Sequence, residues 1–217
     1  MLTQLKNLDL SNSLVTGCLD DVTRLTQLSR LFLQNNQLIG GLHSVAELTN
    51  LIHLDLSNTR LTGGLSSVTL LTQLTVLALH NNQITGSLGS VVGLTQLIEL
   101  NLHTNLLTGD LHSVAGLPKL AILNLHTNQL TGSLESIAGL SQLSMLNLSY
   151  NLLTGDLGSL AGSTQLTQLD LKHNFLTGSL QVLSQLPQIL LVDLSYNRLS
   201  APVTVNVLSW WQASCLH

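Results

Sequence analysis

Leucines fall along this chain in a phrase of fixed length. Leu5, Leu28, Leu51, Leu74, Leu97, Leu120, Leu143, Leu166 and Ile189 open the same 23-residue unit, repeated nine times without an insertion or deletion. The unit reads L-x-x-L-x-L-x-x-N-x-L-T-G-x-L-x-S-V-x-x-L-x-x. A fixed period of this size marks a solenoid, in which each unit buries its apolar side only against its neighbours. Within the unit, L-x-L alternates at period two, the spacing of a strand with one buried face. Leu100 and Leu102 therefore point inward while Glu99, Asn101 and His103 face out, and strands of successive repeats stack in parallel. Aliphatics at positions eleven, fifteen, eighteen and twenty-one complete the inward set.

The ninth position carries Asn36, Asn82, Asn105, Asn128, Asn151, Asn174 and Asn197, with Ser13 and Thr59 in the other two repeats. An amide both donates and accepts, so it can pair the backbone groups of the tight turn leaving the strand, which would otherwise be buried unpaired. The Thr-Gly that follows, as in Thr131-Gly132, supplies a residue free to take positive φ where the chain bends.

With the phase unbroken from Leu5 to Ile189, residues 1–217 read as one elongated domain. Residues 1–4 match the end of a preceding repeat, with Leu2 in register with Leu25, Leu48 and Leu94, so the first leucines are expected to face water. The last unit departs from the phrase. Ala201 replaces Gly, Pro202 follows, Asn206 and Ser209 replace core residues and Trp210-Trp211 enter, so 201–217 read as a modified terminal turn and tail.

The phrase N-x-L-T-G-x-L, seen in NLLTGDL, NQLTGSL and NFLTGSL, resembles the plant-type class of the leucine-rich repeat family. The resemblance covers essentially residues 2–208. It implies a curved right-handed stack with a parallel β-sheet on the concave face, loops or short helical turns on the convex side, and a role in binding proteins or other ligands. The chain departs from the usual pattern of that class in three ways: the repeat is one residue shorter, Leu-x-Ser stands where Ile-Pro is usual, and paired-cysteine caps are missing.

Composition narrows the partners. Only 8% of residues are charged, the net charge is -4 and the seven basic residues are scattered singly, so there is no footprint for phosphate backbones or anionic lipid. Nucleic acid is excluded as a partner. No apolar run approaches the roughly 20 residues that span a bilayer, so membrane insertion is not expected. The start lacks the basic and apolar segments of a secretion signal, while the uncharged Ser, Thr and Asn surface and the plant-type phrase point to the cell surface or outside. The reading is extracellular, with cytoplasmic as the alternative.

Surfaces of a stack are built from columns, because residues 23 apart lie about 4.8 Å apart on neighbouring strands. One outward column reads Ser11, Gln34, Ser57, His80, His103, His126, Ser149, Lys172, Ser195. Its three consecutive imidazoles suit a shared zinc ion or joint titration near pH 6, but stacked side chains splay and no Cys or carboxylate shares the column. No metal site and no cofactor are assigned. The next column reads Asn12, Asn35, Asn58, Asn81, Thr104, Thr127, Tyr150, His173, Tyr196, with Asp170 and Asp193 on the same strands and Lys172 between. Rigid aromatics beside carboxylates make an anchor for a protein or sugar, or else the tyrosines simply cover the end of the sheet. Phe32, near Arg30, is a further contact candidate.

No G-x-S-x-G, phosphate loop or H-E-x-x-H occurs, so no catalytic residue is assigned and the chain reads as non-enzymatic. Cys18 and Cys215 lie in the first full turn and beyond the last repeat. At about 4.8 Å per repeat they stand roughly 40 Å apart, far beyond the ~7 Å limit for a disulfide. They can bridge between copies stacked head to tail, or else they are two free thiols on a piece of a longer repeat array. The expected function is thus a protein-interaction scaffold, assembling end to end through Leu2, Leu5, Cys18, Trp210, Trp211 and Cys215; the alternative is the ligand-binding ectodomain of a cell-surface receptor using its concave face. A glycosylation sequon, Asn147-Leu148-Ser149, lies in the strand face.

Overall fold

A computed structural model describes residues 2–200. Nine three-residue strands form one parallel sheet in sequence order, from Asn7–Asp9 to Leu191–Asp193. The register is the repeat itself: Leu77 pairs with Leu100, Leu100 with Leu123 and Leu123 with Leu146. All four are fully buried, as the alternation requires. At roughly 1.5–3 kcal/mol for each buried leucine, the column shared between turns is what makes one repeat stable only beside the next.

The ninth-position amides do what their chemistry suggests. Asn151 Nδ2 donates to the carbonyls of Leu125 (3.0 Å) and Leu148 (3.1 Å), while its Oδ1 accepts from the Leu130 amide (3.0 Å). One side chain thus joins two turns. Thr59 meets only part of this demand: its hydroxyl reaches the Leu56 carbonyl at 2.8 Å and Asn82 Oδ1 at 2.7 Å.

Past the asparagine the chain turns down a second face. The threonine hydroxyls there bond to a glycine carbonyl of the preceding repeat, Thr131 to Gly109 at 3.2 Å. Gly132 takes φ +97°, as the bend demands. Short 3-10 helices such as Leu134–Ile137 carry the convex side, burying Leu134 and Ile137 before the chain returns to the next strand.

The first turn is open. Leu2, Leu10 and Leu14 are 71%, 40% and 75% exposed. Leu2 keeps the repeat geometry, accepting from the Leu5 amide at 3.0 Å as Leu25 does from Leu28, and Leu5 is half-buried against the core. Trp210, Trp211 and Cys215 lie outside the described residues.

Candidate functional site

The corner after each strand sets the outward columns. The residue before the ninth position is left-handed in all nine repeats, with φ between 51° and 58°. Asn12, Asn35, Asn58 and Asn81 suit that conformation, which asparagine visits far more readily than other non-glycine residues. Histidine, as at His173, shares that tolerance in part; Thr104, Thr127, Tyr150 and Tyr196 do not, yet they occupy the same backbone. The corners from Asn12 to His173 still bond across the stack, as Tyr150 N does to the Lys172 carbonyl at 2.8 Å.

In the C-terminal third this corner carries a ladder of flat rings. Tyr150 and His173 stack with centroids 4.5 Å apart, and His173 and Tyr196 at 4.0 Å with planes only 6° from parallel. His173 is the middle member of the strip, in the order in which the column reads. Lys172 lies over its flank, with Nζ 5.8 Å and 5.5 Å from the ring centres of Tyr150 and Tyr196. Hydrogen bonding to Tyr150, aided by the field of Asp193, holds its ammonium above the usual range. One column further out, Arg198 sits 4.9 Å from the Phe175 ring, so the aromatic surface is wider than the two tyrosines suggest. A depression of about 450 Å³ runs beside it, bordered by Tyr150, Leu152, His173, Phe175 and Tyr196.

Toward the sheet, a trough of about 350 Å³ crosses the last three strands. Met145, Gln168 and Leu191 form one bank, and Asn147, Asp170 and Asp193 the other. Bonds from Ser195 keep the Asp193 carboxyl below its ordinary pKa.

The three histidines sit at mid-sheet and, rather than splaying, lie flat on one another, with centroids 4.5 Å and 4.2 Å apart. Their ring edges run in parallel instead of converging on a point. Among the described residues no three His, Cys, Asp or Glu side chains are arranged to hold a metal ion. The expected titration near pH 6 is also displaced. Burial, with His126 and His80 alongside, pushes His103 down to about 4, and burial lowers His80 and His126 as well. Thr104 and Thr127 hydroxyls meet the Nδ1 atoms of His103 and His126 at 3.0 Å and 2.9 Å, fixing the rings.

Phe32 is less isolated than the sequence suggests, since it packs on His53 at 4.5 Å between centroids. It stands five strands from the near end of the tyrosine ladder. Cys18 is a free, half-exposed thiol. Asn147 of the sequon uses its Oδ1 to accept from the amide (3.1 Å) and hydroxyl (2.8 Å) of Ser149. Sequence columns do place Tyr150, His173 and Tyr196 together. They miss His53, Phe175, Arg198 and Met145, whose roles depend on neighbours in adjacent columns; reading columns in pairs would have found Phe175 and Arg198.

Comparison with known proteins bears on this architecture. The Leucine Rich Repeat family model matches residues 50–69. No curated protein sequence matches. Among solved structures, the ectodomain of the membrane receptor kinase GASSHO1/SCHENGEN3 from Arabidopsis thaliana is 35% identical with a TM-score of 0.83, covering 90% of this chain and 24% of its own. The Arabidopsis receptor kinase HAESA, solved with the peptide hormone IDA and a co-receptor, is 29% identical with a TM-score of 0.83, covering 92% and 35%. A leucine-rich repeat protein of Leptospira interrogans is 28% identical with a TM-score of 0.77, covering 99% and 54%. The chain spans about a quarter of the first of these and about half of the last. Its unbroken parallel ladder, the matched repeat and these likenesses make it a leucine-rich repeat protein with repeats of the plant type.

Proposed function

We propose that the chain is a non-enzymatic recognition module, working outside the cell or at its surface, that binds a protein or peptide on the C-terminal third of its concave face. One observation carries this reading. Tyr150 and Tyr196 occupy left-handed corners that the first four repeats give to asparagine, and holding a tyrosine there costs on the order of 1 kcal/mol or more. A ladder kept against the preference of its own backbone is better explained by contact with a partner than by covering the sheet end. Rigid aromatics beside polar groups are the side chains that dominate binding energy at interfaces. The likeness to ectodomains solved with peptide ligands supports the same reading.

Selection of random displayed peptides on the purified chain tests it. Recovered peptides should bind Tyr150→Ala and Tyr196→Ala about tenfold more weakly or worse, with Leu2→Ser and Leu14→Ser unchanged. Peptides indifferent to both tyrosines, or none at all, would sink the reading.

A second reading rests on a different observation. The first turn exposes Leu2, Leu10 and Leu14, an apolar edge suited to stacking against another copy, with Leu5 and Cys18 beside it. Non-closing contacts of that kind generate filaments. Sedimentation at micromolar concentration should then show assemblies that Leu2→Ser with Leu14→Ser disperses; monomeric wild type removes this reading.

A further inference from the structure

The trough across the last three strands has a chemical asymmetry that recognition of proteins in general does not require. Its one bank is apolar and amide, with Met145 half-exposed and Leu191 62% exposed. Its other bank sets two carboxylates side by side, because Asp170 and Asp193 are register partners on neighbouring strands. Strands are about 4.8 Å apart, and like charges directly opposite each other on a sheet repel. Nowhere else in that outward column do two acids stand on adjacent strands: it reads Asp9, Phe32, Asp55, Ala78, Asn101, Asn124, Asn147, Asp170, Asp193.

The chain compensates this pair only from a distance, through the fields of Lys172 and His173 on Asp193. Asp170 Oδ1 accepts from the Lys172 amide at 3.1 Å and Asp193 Oδ1 from the Ser195 amide at 3.0 Å. Among the described residues, Oδ2 of each receives no hydrogen bond and neither acid forms a salt bridge. The nearest cation, Lys172, lies over the tyrosine rings instead. Residues 201–217 contain no Lys or Arg, so that segment has no guanidinium or ammonium to offer either.

We propose that this trough takes an arginine side chain of a protein partner, its methylenes along Met145 and Leu191 and its guanidinium bridging Asp170 and Asp193. The planar fork of a guanidinium can serve two carboxylates at once, whereas an ammonium acts as a point charge. An apolar wall beside a paired acid suits a side chain that is greasy along its stem and charged at its tip. The proposal rests on the reading of the C-terminal third as the recognition surface and names what that surface selects: a partner segment with a basic residue positioned beside the tyrosine ladder.

The probe is N-acetylarginine methylamide, with the citrulline counterpart as its uncharged isostere, followed by amide chemical shifts on the full chain. The arginine compound should shift the Gln168 to Asp170 and Leu191 to Asp193 amides saturably, with a Kd on the order of 1 mM, and the shift should weaken as salt is raised. Citrulline should bind about tenfold more weakly or not at all. Asp170→Asn with Asp193→Asn should abolish the shift while Asp9→Asn leaves it intact. Asparagine already stands at this position as Asn147, making the equivalent bond to Ser149, so the double variant keeps its fold. Equal response to citrulline, equal response of the double variant, or no saturable shift overturns the proposal. If it falls while selected peptides still depend on Tyr150, recognition survives without the arginine; if neither probe nor peptides bind, both readings fall.

Discussion

Replacement of Asn151 measures how much of the stack hangs on a single side chain per turn. Asn151 is only 6% exposed, and its amide closes three backbone groups: the Leu125 and Leu148 carbonyls at 3.0 Å and 3.1 Å, and the Leu130 amide at 3.0 Å. Asn151→Ala leaves the Leu130 amide without its cap, while the Leu125 and Leu148 carbonyls each lose one of two amide donors and keep Asn128 (3.1 Å) and Asn174 (2.9 Å). One buried group deprived of its bond costs about 1–3 kcal/mol and each carbonyl that loses one of two donors about 0.5 kcal/mol, so the total is about 2–4 kcal/mol. Asn151→Thr should be milder, because Thr59 shows that a hydroxyl at this position keeps the bond to the carbonyl three residues earlier in its own repeat. It cannot also cap the amide of the previous turn, so about 1–2 kcal/mol is lost. Urea unfolding gives the totals. Hydrogen exchange should place the loss locally, with the Leu130 amide losing protection before amides near Leu31, since repeats couple mainly to their neighbours. A cost under about 1 kcal/mol for alanine, or equal costs for alanine and threonine, would refute the view that these amides tie the turns together.

Three further outcomes are expected. Leu123→Ala, in the middle of a fully buried column, should cost about 2–5 kcal/mol in urea unfolding. Gly63→Ala should destabilise by more than about 1 kcal/mol, because the residue has φ +100° and an added Cβ would lie 3.0 Å from the Leu42 amide nitrogen; an unchanged midpoint would show that the corner relaxes. Stability should fall with acid. His103 is held neutral down to about 4 by burial and by His126 and His80, so the unfolded chain takes up a proton between its ordinary value near 6.5 and 4 while the folded chain does not. Melting temperature should therefore drop across that window, and His103→Gln should flatten the drop; identical profiles would remove the histidine as the cause.

Much of the fold was legible because a solenoid has one rule applied many times. The pairing Leu77, Leu100, Leu123 follows directly from the spacing, as do the buried Asn and the positive-φ glycine, since each answers a local demand that the unit poses nine times. What was illegible depended on contacts between columns. Nothing at position 53 announces a histidine packed on Phe32, and nothing in a run of His80, His103 and His126 says that the rings lie flat, desolvate one another and lose their titration near pH 6. Side-chain direction from a left-handed corner, and the burial that follows from stacking, are properties of neighbouring turns taken together.

That corner also separates structure from function within one column. A stack needs a left-handed residue there, and asparagine meets the need in Asn12, Asn35, Asn58 and Asn81. If packing alone had shaped the column, asparagine would serve equally well in the last three repeats. The tyrosines strain the same φ, near 54° at Tyr150 and 56° at Tyr196. They recover part of it as ring stacking, worth about 0.5–1.5 kcal/mol for a pair. The two terms nearly cancel, so the aromatic ladder gives the fold little. Its remaining effect is on the surface it presents: a rigid aromatic ridge, cationic along its flank at Lys172 and Arg198, running beside a trough with acids on its far bank. A partner that contacts both must carry its charges in a matching order, and that ordering, more than the leucine frame beneath it, distinguishes this end of the stack from the other.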